Sequence, residues 1–230
     1  MNDPRESLKK DVVMAGLKGP PDGSGMKTKD KIFKSAKVLF TEKGFREVTV
    51  REIAAHAGVN SALVGYHFGN KQELFNEVYR SFAEPLARER MKRLTALAGN
   101  RRKPSVEDVL NAWLLPLLQT RDDPKQSALY VRFTANVAVE RWKYTKKAAQ
   151  FTQRTHKAFI DALHRCLPHI SRDTLRWRLH FIVGAIAFGI RVPGPLQAFS
   201  KGRCDPNDLE TTLAQILPFA VKGFQSPEPE

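Results

Sequence analysis

Apolar residues recur along this chain at the three- and four-residue spacing of helices, and no stretch shows the alternation of a half-buried strand. Over 28–44 the series Ile32, Ala36, Leu39 and Phe40 marks a helix that closes at Lys43 and Gly44. Two short segments follow. Val50, Ile53, Ala54 and Ala57 give the first its apolar face, and Val64 and Phe68, joined by Val59, give the second. From 71 to about 97 a long stripe runs through Leu74, Phe75, Val78, Phe82, Leu86 and Leu94, with a kink expected at Pro85. Further helices are expected over 105–120 with a bend at Pro116, from Pro124, over about 144–167, over 171–191, and from Asp205-Pro206 to about 222. The pattern predicts an all-α chain. Its parts are a flexible arm over 1–26, a three-helix domain over 27–75, a larger helical domain over 76–224 and a flexible tail over 225–230.

The polar residues between the short helices sharpen this picture. Thr49 with Glu52 three residues on forms a capping box that starts the first, and Gly58 stands where the chain must leave it. Asn60 then caps the second within three residues, and its outer side carries Ser61, Ala62, Gly65 and Tyr66. Two helices on so tight a turn, the second with small and polar outer residues, describe a helix-turn-helix whose second helix enters the DNA major groove. Asn70 and Glu73 form another capping box. Lys71 falls in the first turn of the long helix, where a cation opposes the helix dipole and a DNA phosphate would offset it.

Charge points the same way without localising the partner. The 230 residues carry a net charge of +14 and a pI near 10.0, which favours a polyanion, nucleic acid first and an acidic membrane surface second. The excess continues well past the helix-turn-helix, since 88–103 holds seven basic residues against one acidic. Cys166 and Cys204 lie too far apart in sequence to suggest a disulfide framework. The longest apolar run, about 181–190, is too short for a bilayer, and the N-terminus has no apolar signal core, so a cytoplasmic protein is expected. His164, Cys166 and His169 lie close together, but their spacing crosses Pro168 and no second ligand pair accompanies them, so no metal is assigned. No cofactor motif and no catalytic constellation is read.

The stretch T-V-R-E-I-A-A-H-A-G-V-N-S-A-L-V-G-Y-H-F-G-N-K-Q-E-L-F resembles the signature of the TetR family of bacterial transcriptional regulators. The resemblance implies a homodimer that binds an inverted-repeat operator in double-stranded DNA and answers to a small-molecule effector. Carried over position by position, it makes Thr49 and Arg51 contacts to the backbone or outer bases. Ser61, Ala62, Leu63, Gly65 and Tyr66 become the reading surface, and His67 and Lys71 phosphate clamps. The chemistry is compatible: a hydroxyl can bond a base edge, Ala and Leu can meet a thymine methyl, and Tyr and Lys can bond phosphate oxygen. Gly65 departs from the aromatic pair that many relatives show before the histidine. The lysines near the start of the first helix are also placed to meet phosphate.

In the larger domain the resemblance implies an effector pocket. Trp113, Leu117, Arg132, Phe133, Phe151, Trp177, His180 and Phe181 are candidate lining, although residues of these types in such positions are more often ordinary core. Arg132 and His180 would suit an apolar acid or acyl thioester, and R-W-R-L-H-F-I-V-G-A-I-A-F loosely resembles the branch of the family that answers to such ligands. Gly184, Ala185, Phe188, Leu213 and Leu217 either close the core of one subunit or face a partner helix, as the last two long helices do in that family. Two other classes stay open: a DNA-coating protein indifferent to sequence, and an all-helical carrier or enzyme.

Overall fold

The computed structural model describes residues 27–119, 124–139 and 146–229; within these, the side chains of 118–128, 130 and 138–151 lie outside the described set. The described elements are all helices: α1 (Thr28–Glu47), α2 (Val50–Ala57), α3 (Ser61–Phe68), α4 (Lys71–Gly99), α5 (Val106–Leu114), α6 (Pro116–Gln119), α7 (Pro124–Val139), α8 (Lys146–Cys166), α9 (Arg172–Arg191), α10 (Gly194–Phe199) and α11 (Leu209–Gln225). The chain divides into two compact units, one ending at Val78 and the other beginning at Tyr79, a division that falls inside α4. The expected arm over 1–26 lies outside the described residues.

In the first unit α1 packs on α2 and α3 around Ile32, Ala36, Leu39, Phe40, Ile53 and Val64, all buried. Phe75 from the first turns of α4 closes this core, its ring edge-on to Phe40 and Phe45 at 4.9 Å from each. Burying a side chain of this size contributes about 1.5–3 kcal/mol, so a few aromatic anchors suffice for so small a domain. In the second unit α9 packs against α7 and α8, and α11 against α5 and α9. Trp113, Phe159 and Phe224 run through its centre, with ring centres 4.5 Å apart for the first pair and 6.1 Å for the second.

Several boundaries differ from expectation for local reasons. The helix expected over 105–120 ends at Leu114 and restarts at Pro116, whose missing N–H cannot continue the ladder. The last helix begins at Leu209, not at Asp205-Pro206. Asp205 accepts bonds from Asn207 and Gln197 and so forms a turn, while Asp208 caps α11 through the N–H of Thr211 at 3.1 Å. Helix α10 was not expected. The segment expected as a flexible tail is tied down as far as it is described. The Glu228 carboxylate accepts the Ser171 N–H at 2.7 Å, and Arg178 donates to the carbonyls of Phe224 and Pro227 at 2.9 and 2.8 Å. Hydrogen bonds from Thr174 and Ser171 hold the Glu228 carboxyl down at about 2.

Candidate functional site

The helix-turn-helix is built from its caps outward. Thr49 Oγ1 accepts the Glu52 N–H at 3.2 Å and the Glu52 carboxylate reaches back to the Thr49 N–H at 3.4 Å, which completes the expected box. Glu52 also pairs with Lys43, and that hydrogen bond is the main reason its carboxyl stays below the usual range and the Lys43 ammonium above its own. Gly58 ends α2 at φ 65°, where its N–H donates to the carbonyls of Ala54 and Ala55. A side chain at that φ would be strained, so glycine is what permits a turn this short. Asn60 Oδ1 then accepts the Ala62 N–H at 2.9 Å and starts α3.

Helix α3 turns Val64 and Phe68 into the core and leaves Ser61, Ala62, Leu63, Gly65 and Tyr66 exposed. Tyr66 is 83% exposed, with the half-buried His67 ring 5.1 Å away and edge-on. A Cβ added at Gly65 would meet nothing within 4 Å, so this position is open space on the outer face. Thr49 and Arg51 are exposed at the start of α2. Asn70 Oδ1 accepts the Glu73 N–H at 2.9 Å, while the Glu73 carboxylate lies against Gly69. Lys71 has a partner that sequence reasoning missed: its ammonium lies over the Phe45 ring, 4.5 Å from the centroid. Lys29 lies 5.3 Å from the Phe68 ring centre, which puts a second ammonium from α1 beside the C-terminal end of α3. Lys29 is among the lysines near the start of α1 expected to meet phosphate.

The second unit holds a partly open cavity of about 210 Å³. Trp113 and Leu117 line it, as expected. Phe133 is fully buried in the core beside Phe82 but does not face the cavity. Arg132, Trp177, His180 and Phe181 are exposed and lie away from it, and the Phe151 side chain is outside the described residues. The polar lining comes instead from Arg90, Tyr79, Thr134, Thr152, Thr155 and His156. Arg90 Nε donates to the Trp113 carbonyl at 2.8 Å and its guanidinium stacks 3.8 Å from that ring. Tyr79 and Thr152 hydroxyls bond at 2.8 Å, and burial pushes the Tyr79 phenol up. Burial first, and Arg90 second, lowers His156 to about 4. These groups sit on α4, α7 and α8, whose stripes read as plain core until the helices are packed together.

The outer side of α9 carries the displaced aromatic residues. Trp177, Phe181 and Phe188 are 62%, 61% and 62% exposed, the first two with stacked rings 5.8 Å apart. Gly184 and Ala185, also exposed, lie on the same side, and a Cβ on Gly184 would meet nothing within 4 Å. Leu213, expected at an interface, is buried within its own unit because α11 turns it toward the core, and Leu217 is half-buried. Phe219 is the exposed aromatic residue of α11, at 66%.

Known proteins share both halves of this arrangement. The family model described as bacterial regulatory proteins, tetR family, matches residues 32–78, and that described as tetracyclin repressor-like, C-terminal domain, matches 111–223. The chain belongs to the TetR family. Among the relatives of this TetR-family protein is the probable HTH-type transcriptional regulator YttP of Bacillus subtilis, 35% identical over 104 residues, 45% of this chain and 48% of that one. The HTH-type transcriptional repressor KstR2 of Rhodococcus jostii is 41% identical over 51 residues, 22% of this chain and 25% of that one. The match thus spans about half of the first relative and a quarter of the second. The crystal structure of Mycobacterium smegmatis AmtR shares the fold at a TM-score of 0.55 and 15% identity, covering 91% of this chain and 92% of that chain. Among the described residues of this TetR-family chain no group of three or more His, Cys, Asp or Glu is placed to hold a metal ion, and no single helix is long and apolar enough to cross a membrane.

Proposed function

We propose that this TetR-family protein is a transcriptional repressor that binds an inverted-repeat operator as a homodimer and is released by a small molecule in the cavity of its second unit. The observation that carries the DNA reading is the outer face of α3. Five side positions stand exposed on a helix that its caps and Gly58 fix in place, and Ser61, Ala62 and Gly65 are small enough for the backbone to approach base edges. Tyr66 and Lys29 flank that face with a phenol and an ammonium suited to phosphate. The repressor sign follows the printed description of KstR2, and the regulator role that of YttP.

The homodimer rests on the outward aromatic side of α9. An apolar face of this kind is costly in water, and a second copy of the same face covers it with two-fold symmetry. Two copies of α3 then read two half-sites, roughly 34–36 Å apart along the duplex. A ligand releases DNA only if it binds the dimer geometry that misses this spacing more tightly than the one that fits. The protein acts in the cytoplasm, where its operator lies, and catalyses no reaction. The test is selection of genomic fragments by the purified chain at near-physiological salt. Enrichment of an inverted repeat that is lost in Tyr66→Ala supports the reading. Retention without any shared motif, strongly salt dependent, would replace it with a sequence-indifferent coating protein.

A further inference from the structure

We propose that the cavity of the second unit takes a compact, largely apolar molecule about the size of a substituted benzene ring, whose carboxylate accepts a hydrogen bond from His156. The inference deepens the effector reading above and rests on it.

Three observations converge on this ligand class. The first is an imidazole that lacks a partner. His156 is half-buried on the cavity wall, its ring packs 5.2 Å from Trp113, and neither ring nitrogen bonds any described residue. A half-buried ring with no partner among the described residues faces only the accessible space of the cavity, and an incoming acceptor can bond it there. The ring stays neutral near pH 7, because burial and the neighbouring Arg90 lower it to about 4, so it offers one N–H donor and one acceptor.

The second observation is the sign of the wall. The described lining holds Arg90 and no acidic residue, and Arg90 lies against the same Trp113 ring as His156. A carboxylate is drawn to this corner, and an ammonium is repelled. The third is size and surface. Phe82, Leu86, Leu114, Ile182 and Ile186 make the rest of the wall apolar, and the space of about 210 Å³ exceeds the roughly 150 Å³ that holds benzene by room for a few more heavy atoms.

The test uses the full chain and three probes that share a ring and differ in head group: sodium benzoate, benzyl alcohol and benzylamine, each titrated calorimetrically at pH 7.5 without DNA. Benzoate is expected to bind about tenfold more tightly than benzyl alcohol, and benzylamine not detectably. His156→Phe is expected to weaken benzoate at least about tenfold, while His156→Gln, which keeps an N–H donor, restores part of the loss. Both variants should retain the unfolding temperature at pH 7.5 and the DNA retention of the parent, which separates loss of a ligand contact from loss of fold. Benzylamine binding as tightly as benzoate, benzoate binding unchanged in His156→Phe, or no binding of any probe would each overturn the assignment. Fragment selection run in parallel distinguishes the two failures. Motif enrichment with no benzoate binding removes the ligand class and leaves the regulator, whereas benzoate binding with no motif removes the regulator reading.

Discussion

The exposed face of α3 and the exposed face of α9 are opposites in chemistry. On α3 the outward residues other than Leu63 are small or polar, and water solvates them at little cost until a duplex arrives. On α9 they are Trp177, Phe181 and Phe188, which water solvates poorly. The contrast suits each face to the partner proposed for it. A helix that reads a hydrated polyanion must leave space for bases and ordered water, and one that meets its own copy is stabilised by filling space with apolar rings. The open position at Gly65 and that at Gly184 look alike on their own, since a Cβ meets nothing at either. Their neighbours decide the difference.

The largest expected effect comes from making the second face resemble the first. Phe181→Asp combined with Phe188→Asp should convert the protein from a dimer to a species of 26.0 kDa by sedimentation equilibrium. Because the second half-site is then lost, DNA affinity should fall at least about 100-fold. Neither side chain belongs to the core, so the helical content should stay unchanged. A dimer that survives the double change would remove α9 from the interface.

A smaller effect is expected at the cavity wall of the second unit. His156 is lowered from its ordinary value to about 4, so between there and the ordinary value the unfolded chain binds the extra proton. Stability is therefore complete above that window and falls as pH drops through it, by roughly 2 kcal/mol at pH 5. Unfolding midpoints in urea at pH 7.5 and 5 should show this loss, and His156→Phe should flatten it. Next is Tyr66→Ala, expected to weaken operator binding about tenfold, near 1.4 kcal/mol, with an unchanged melting temperature, since the ring is exposed. Smallest is Thr49→Ala, which removes the α2 cap and should cost about 1 kcal/mol of stability in the first unit, measured by denaturant unfolding.

The two faces were also unequally legible from sequence. Around α3 the deciding signals are local: Thr49 reaches Glu52, Gly58 turns the chain and Asn60 caps the next helix, all within a dozen residues. Pattern alone therefore places Ser61, Ala62, Gly65 and Tyr66 outward, and the resemblance adds Leu63. Around α9 the deciding contacts are distant in sequence. Trp177 and Phe181 share a stripe spacing with Phe188, but whether that stripe faces a cavity or solvent depends on α7, α8 and α11 packing against the other side. The expectation offered them as pocket lining and Leu213 as core or interface, whereas the packing leaves Trp177 and Phe181 exposed away from the cavity and buries Leu213 in its own unit. The polar corner of the cavity was missed for the same reason: Arg90 and His156 lie 66 positions apart (156 minus 90), and their residue types alone do not distinguish a wall from a solvated helix face. Lys71 shows the limit even close by, since the Phe45 ring under its ammonium comes from the end of α1, past the kink at Gly44.

The central claim is that two copies of α3, joined through α9, read two half-sites. Hydroxyl-radical footprinting of a fragment retained by the full chain tests it most directly. The account predicts two protected patches whose centres are separated by about one helical turn, roughly 10–10.5 base pairs, or a whole multiple of it, both lost together in the Phe181→Asp, Phe188→Asp protein at the same concentration. A single patch, or protection spread evenly along the fragment, would contradict it.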